Sequence, residues 1–175
     1  MIRTSSIAAT AVLTLATVHT ATAAPPDLKT PAPVIFLADN LDENQNLGFC
    51  IDTVGRGLSD RLHAHSCKPQ GGDVQFLFLA DTGKIKSATF ENLCAELLAP
   101  AAAGVTLGLL PCSDNPMQAF AYDPGKQEFQ PQGTSDLCLV SPGDTRSAGP
   151  FVSRDLALAN CASTPPAQKQ WVIRE

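Results

Sequence analysis

Two histidines, His63 and His65, stand one residue apart, and alternate residues of a strand share a face. With Asp52 or Asp60 as a third ligand, such a pair could chelate a metal ion. No further histidine follows residue 23 and the cysteines are better used as disulfides, so the expectation is two solvated or contact-making imidazoles and no metal. Asp42-Glu43-Asn44-Gln45-Asn46 spaces acidic and amide oxygens as a calcium loop does. An EF-hand needs Gly at its sixth position and Glu at its twelfth, where this chain has Leu47 and Thr53, so the stretch reads as a polar hairpin turn. No Gly-x-Ser-x-Gly, His-Glu-x-x-His or phosphate loop occurs, and no unpaired cysteine is left as a nucleophile. The residues therefore point to binding and not to catalysis, with no cofactor expected.

What positions those residues begins after the first 23. Arg3, the apolar run Ile7 to Val18 and the small residues Ala21-Thr22-Ala23 have the order of a signal peptide cleaved after Ala23. The apolar run is shorter than the ~20 residues a membrane span needs, and no second such run follows. The expected product is secreted or periplasmic, without a membrane span. It begins with a Pro-rich linker over 24–32, and one domain over 33–175 follows. Without Arg3 the chain keeps 11 basic residues, scattered singly, against 17 acidic ones. That balance argues against nucleic acid and anionic membrane as partners.

Six cysteines set the frame. Cys50, Cys94 and Cys138 recur at an interval of 44, and each is followed by another, Cys67, Cys112 and Cys161, after 17, 18 and 23 residues. An even count in an exported chain reads as disulfides, and of the 15 pairings six cysteines allow, the simplest is one bridge per unit: Cys50–Cys67, Cys94–Cys112 and Cys138–Cys161. Leucines keep step, with Leu62, Leu107 and Leu156 each five positions before the second cysteine. Phe36-Leu37-Ala38-Asp39 recurs as Phe78-Leu79-Ala80-Asp81 and is counted with the repeat. Repetition of this kind outranks local propensity as a guide to architecture.

Within each unit the pieces read as short strands between turns: Val34 to Leu37, Phe49 to Ile51, Leu62 to His65 and Gln75 to Leu79. Leu97 to Leu110 is apolar enough for a helix, but Pro100, Gly104 and Gly108 oppose one, so it reads as a loop and a strand.

Cys50-Ile51-Asp52, Cys67 and Gln75-Phe76-Leu77 in the first unit resemble the ricin B-type lectins. So do Cys94-Ala95-Glu96, Cys112 and Gln118-Ala119-Phe120 in the second, and Cys138-Leu139-Val140, Cys161 and Lys169-Gln170-Trp171 in the third. The resemblance implies an all-β fold, a β-trefoil of three pseudo-symmetric repeats with one disulfide each. It implies a galactose-type glycan held by the Asp after the first cysteine, an aromatic two residues before the second, and an Asn before the Gln-x-Trp glutamine. Repeat one offers Asp52, His65 with His63 beside it, and Gln75, but has Val74 at the Asn position. Repeat two has Glu96, Leu110 and Met117; repeat three has Val140 and Ala159. The surviving site is therefore expected in repeat one. Asp52 also has a structural role open to it, accepting from a nearby backbone amide, and Gln75 and Gln118 resemble residues that knit the core. The alternative is a trefoil with decayed sugar sites that binds a protein, as toxin subunits or inhibitors do. Apolar residues at Leu97-Leu98-Ala99 and Ala101-Ala102-Ala103 would serve that alternative if exposed, or simply fill the core.

Overall fold

The computed structural model describes residues 24–55 and 60–175; the expected signal peptide lies outside the described residues. Among the described residues fourteen strands follow in three sets. Repeat one holds β1 (Val34–Leu37), β2 (Phe49–Thr53), β3 (Leu62–Ser66) and β4 (Phe76–Leu79). Repeat two holds β5 (Lys84–Ser87), β6 (Leu93–Leu97), β7 (Leu107–Pro111) and β8 (Phe120–Asp123). Repeat three holds β9 (Glu128–Pro131), β10 (Leu137–Val140), β13 (Ala157–Asn160) and β14 (Trp171–Arg174), with an additional hairpin, β11 (Arg146–Ala148) and β12 (Phe151–Arg154), between its second and third strands. Leu97 to Leu110 is a strand end, a loop and a strand, because Leu98 to Thr106 lie between β6 and β7.

The repeats superpose in their hydrogen bonds. The amide of each second cysteine donates to the carbonyl two residues before the first: Cys67 to Gly48, Cys112 to Asn92, Cys161 to Asp136, at 3.0, 2.9 and 2.8 Å. Gly48 meets this with φ +72°, and Pro26 fills the space where a Cβ would stand, 2.6 Å away, so only glycine fits there. The three disulfides form as the spacing implies. Each loop of this length contributes ~3 kcal/mol by constraining the unfolded chain.

One core serves all three repeats. The first strands contribute Ile35, Ile85 and Phe129, the last strands open on Phe76, Phe120 and Trp171, and the recurring leucines Leu62, Leu107 and Leu156 lie among them, all buried. A half-buried strand must turn one alternate set inward, and the interval of 44 delivers that set to a common axis. The Trp171 indole donates to the Leu139 carbonyl at 2.8 Å, so its one polar group is satisfied in the interior. The twin Phe-Leu-Ala-Asp segments are not repeat equivalents. Phe36 belongs to the first strand of its repeat and Phe78 to the fourth, and the two share only the apolar character that any inward strand has.

Residues 24–32 are docked on repeat one. The Asp27 backbone amide donates to the Asn46 carbonyl, the Thr30 hydroxyl donates to the Lys68 carbonyl at 3.0 Å, and Thr30 is 1% exposed.

Candidate functional site

The β2–β3 hairpin places the repeat-one residues. Asp52 pairs across the ladder with His63, and Cys50 with His65, so the three polar side chains share one face. Asp52 is 1% exposed. Its Oδ1 accepts from the Thr53 amide at 2.6 Å, as its structural role requires. Its Oδ2 lies 3.1 Å from Lys68 Nζ and 3.6 Å from each of His63 Nε2 and His65 Nδ1. Lys68 also pairs with Asp73 at 2.8 Å. Burial pushes the Asp52 carboxyl up, but His63 beside it and the charges of Lys68 and His65 outweigh burial and hold it below the usual carboxylate range. His65 is also lowered, but here burial is the cause, against the opposing pull of the Ser66 carbonyl and Asp52. Its Nδ1 lies 2.9 Å from that carbonyl, which can only accept, so Nδ1 carries the proton of the neutral ring.

These groups border a cavity of about 320 Å³. Its far wall comes from repeat three. The hairpin β11–β12 adds to the edge of β3, with Ser153 opposite His65 and Arg154 opposite Ala64, and swings Phe151 over the site. The Phe151 ring stands edge-on to His65, 5.8 Å between centroids and 65° between planes. Arg154 anchors the hairpin. It is 4% exposed, bonds Asp42 at 2.7 Å, Thr145 at 3.0 Å and the Gly143 carbonyl, and lies 5.6 Å above the Phe49 ring. The Thr53 hydroxyl on the cavity wall is buried without a hydrogen-bond partner among the described residues.

The structure therefore brings Asp52, His63 and His65 together and leaves Gln75 out. Gln75 accepts from the Gly72 amide at 2.8 Å and donates to the Ala32 carbonyl at 2.9 Å, tying the N-terminal segment down. The fourth strands explain why. Each opens on its buried aromatic, Phe76, Phe120 or Trp171, so the repeat-one equivalent of Gln118 is Val74, and Gln75 corresponds to Ala119. Aligning on glutamine puts repeat one out of step by a residue. With the register corrected, the position before it holds Asp73, a polar residue, and Asp73 lines the cavity. His65 is 6% exposed, so the aromatic surface facing the cavity is mainly that of Phe151. Lys68, Asp73 and Phe151 were missed. The signal for Phe151 was the longer cysteine separation of repeat three, which accommodates the additional hairpin.

The equivalent places elsewhere are filled. Glu96 accepts from Asn115 at 2.9 Å and Gln118 at 2.6 Å, and Val140 is buried. The acidic stretch 42–46 satisfies its own turn, with Glu43 accepting from Gln45, Leu47 and Ser66. Glu128, Cys138 and Cys161 come together as a metal trio might, but the two sulfurs are joined in a disulfide. Leu97 fills the core, while Leu98 through Gly104 lie on the surface. No helix among the described residues is long and apolar enough to cross a membrane.

A family model described as the ricin-type beta-trefoil lectin domain matches residues 41–174. No curated protein matches the chain in sequence. Among solved structures, a crystal structure of GalNAc-T7 with UDP, GalNAc and Mn2+ is similar at a TM-score of 0.53 and 18% identity. The alignment covers 86% of this chain and 23% of that one. Identity that low shows a shared fold alone.

Proposed function

The chain belongs to the ricin-type beta-trefoil lectin domain family, and from that premise we propose that it is an exported carbohydrate-binding module whose retained sugar site is the repeat-one cavity. The observation that carries this is the convergence of Asp52, Lys68 and Asp73 with Phe151 around one cavity. A sugar presents hydroxyl pairs along its edge and C–H bonds on its face. Charged acceptors and donors hold the first, and an aromatic ring covers the second. Three disulfides with no free cysteine among the described residues support export, since such bridges persist in oxidising compartments. No catalytic step is assigned.

The protein-binding alternative would use the surface loop after β6. Leu98, 44% exposed, is the large apolar side chain left outside among the described residues. Single exposed apolar residues are ordinary, so the loop carries less than the cavity does.

The test is a glycan array probed with residues 24–175 and with Phe151→Ala and Asp73→Asn. Binding to galactose-terminated glycans that weakens about tenfold or more in either variant is expected, a factor worth ~1.4 kcal/mol. Binding that neither substitution alters would remove the cavity from consideration, and a blank array would remove the lectin function.

A further inference from the structure

Beside the first cavity lies a second of about 560 Å³, and the two share Lys68, Asp73, Pro150 and Phe151. The second is bounded also by Gln70 and Gly72 of the β3–β4 loop and by Phe90 of the loop before β6. A Cβ built on Gly72 meets nothing within 4 Å, so this part of the floor is open backbone. All three repeats therefore contribute to one cleft: the polar floor from repeat one, Phe90 from repeat two and Phe151 from repeat three.

Each half of the cleft combines hydrogen-bonding groups with an aromatic ring. The first is lined by Asp52, Lys68 and Phe151, and the second by the exposed Gln70 together with Phe90 and Pro150. Hydrogen-bonding groups combined with an apolar ring, twice in succession with a shared wall, match two linked sugar residues better than one. The charge at the junction is also informative. Lys68 is held between two carboxylates, Asp52 at 3.1 Å and Asp73 at 2.8 Å, so its positive charge is more than offset. Such a junction repels an anionic substituent.

We infer that the second cavity is a further sugar subsite, making the cleft selective for neutral oligosaccharides of two or more residues over monosaccharides and over acidic glycans. This rests on the lectin function proposed above. Titrating residues 24–175 with galactose, lactose, a galactose-terminated neutral tetrasaccharide and 3′-sialyllactose separates the two. Lactose or the tetrasaccharide is expected to bind about tenfold tighter than galactose, and 3′-sialyllactose weaker than lactose. Phe90→Ala should erase most of the gain with length while leaving galactose affinity unchanged. Gln70→Ala, at an exposed side chain whose loss leaves the core intact, should reduce the same gain. Equal affinity for galactose and the longer neutral sugars, or loss of galactose affinity in Phe90→Ala without loss of thermal stability, overturns the second subsite and leaves the first standing. Binding of 3′-sialyllactose as tight as that of lactose, or tighter, overturns the selectivity for neutral glycans. Failure of all four sugars together with a blank array overturns the lectin function itself.

Discussion

Replacing Asp52 with Asn keeps the shape of the side chain and its acceptor for the Thr53 amide, removes the charge, and turns the atom that faces Lys68 from an acceptor into an NH2 donor. What remains is a Lys68 ammonium, its side chain 14% exposed, with Asp73 as its single anionic partner. Removing one member of a buried ion pair costs ~3–5 kcal/mol when the other is left unpaired. Here the second carboxylate at 2.8 Å and partial access to water reduce that, so the expected loss at pH 7 is about 2 kcal/mol. The pH dependence follows from the depressed Asp52 carboxyl. Such a group contributes stability that is present above the ordinary value of 3.8 and is lost as pH falls through the folded value. The gap between wild type and Asp52→Asn should therefore be full at pH 7 and narrow below about pH 4. Denaturant unfolding with the disulfides intact measures it, followed by fluorescence of Trp171, the only tryptophan and fully buried. Equal stability at pH 7, or a gap that persists unchanged at pH 3, would refute the assignment of Asp52 as the charge that holds this cluster together.

His65, depressed by burial, stays neutral in the fold at a pH where the unfolded chain protonates, so stability should fall as pH drops below its ordinary value of 6.5. Its share of that slope is at most ~1.4 kcal/mol per pH unit, and should vanish in His65→Gln; an unchanged slope in unfolding curves between pH 7 and 5 would contradict this. Arg154→Met removes the buried anchor of the β11–β12 hairpin and should cost about 2 kcal/mol, the range of hydrogen bonds to a charged group. Faster exchange of the Val152 amide, which donates to the Ser66 hydroxyl at 3.2 Å, should accompany it, and slow exchange in the variant would show that the hairpin does not depend on Arg154.

The fold was legible because its determinants are periodic and local. Three units at an interval of 44, each with a cysteine pair, mark a repeat architecture, the resemblance to the ricin B-type lectins implies that they close into a trefoil, and turn residues between short apolar runs leave little room for helix. The Phe49 to Ile51 and Leu62 to His65 segments were likewise legible as strands, while the ladder register that sets Asp52 opposite His63 came with the tertiary structure. The remainder of the site was decided by contacts between repeats. Asp73 was hidden by a one-residue slip, since Gln75 imitates the family glutamine while the buried Phe76 fixes the true register by packing. Phe151 lies 86 residues from His65 and touches it only because an insertion in one repeat finds the open edge of a strand in another. Spacing along a chain reports on neighbours within a repeat; the free edge of β3 and the buried pocket for Arg154 exist only once all three repeats have packed.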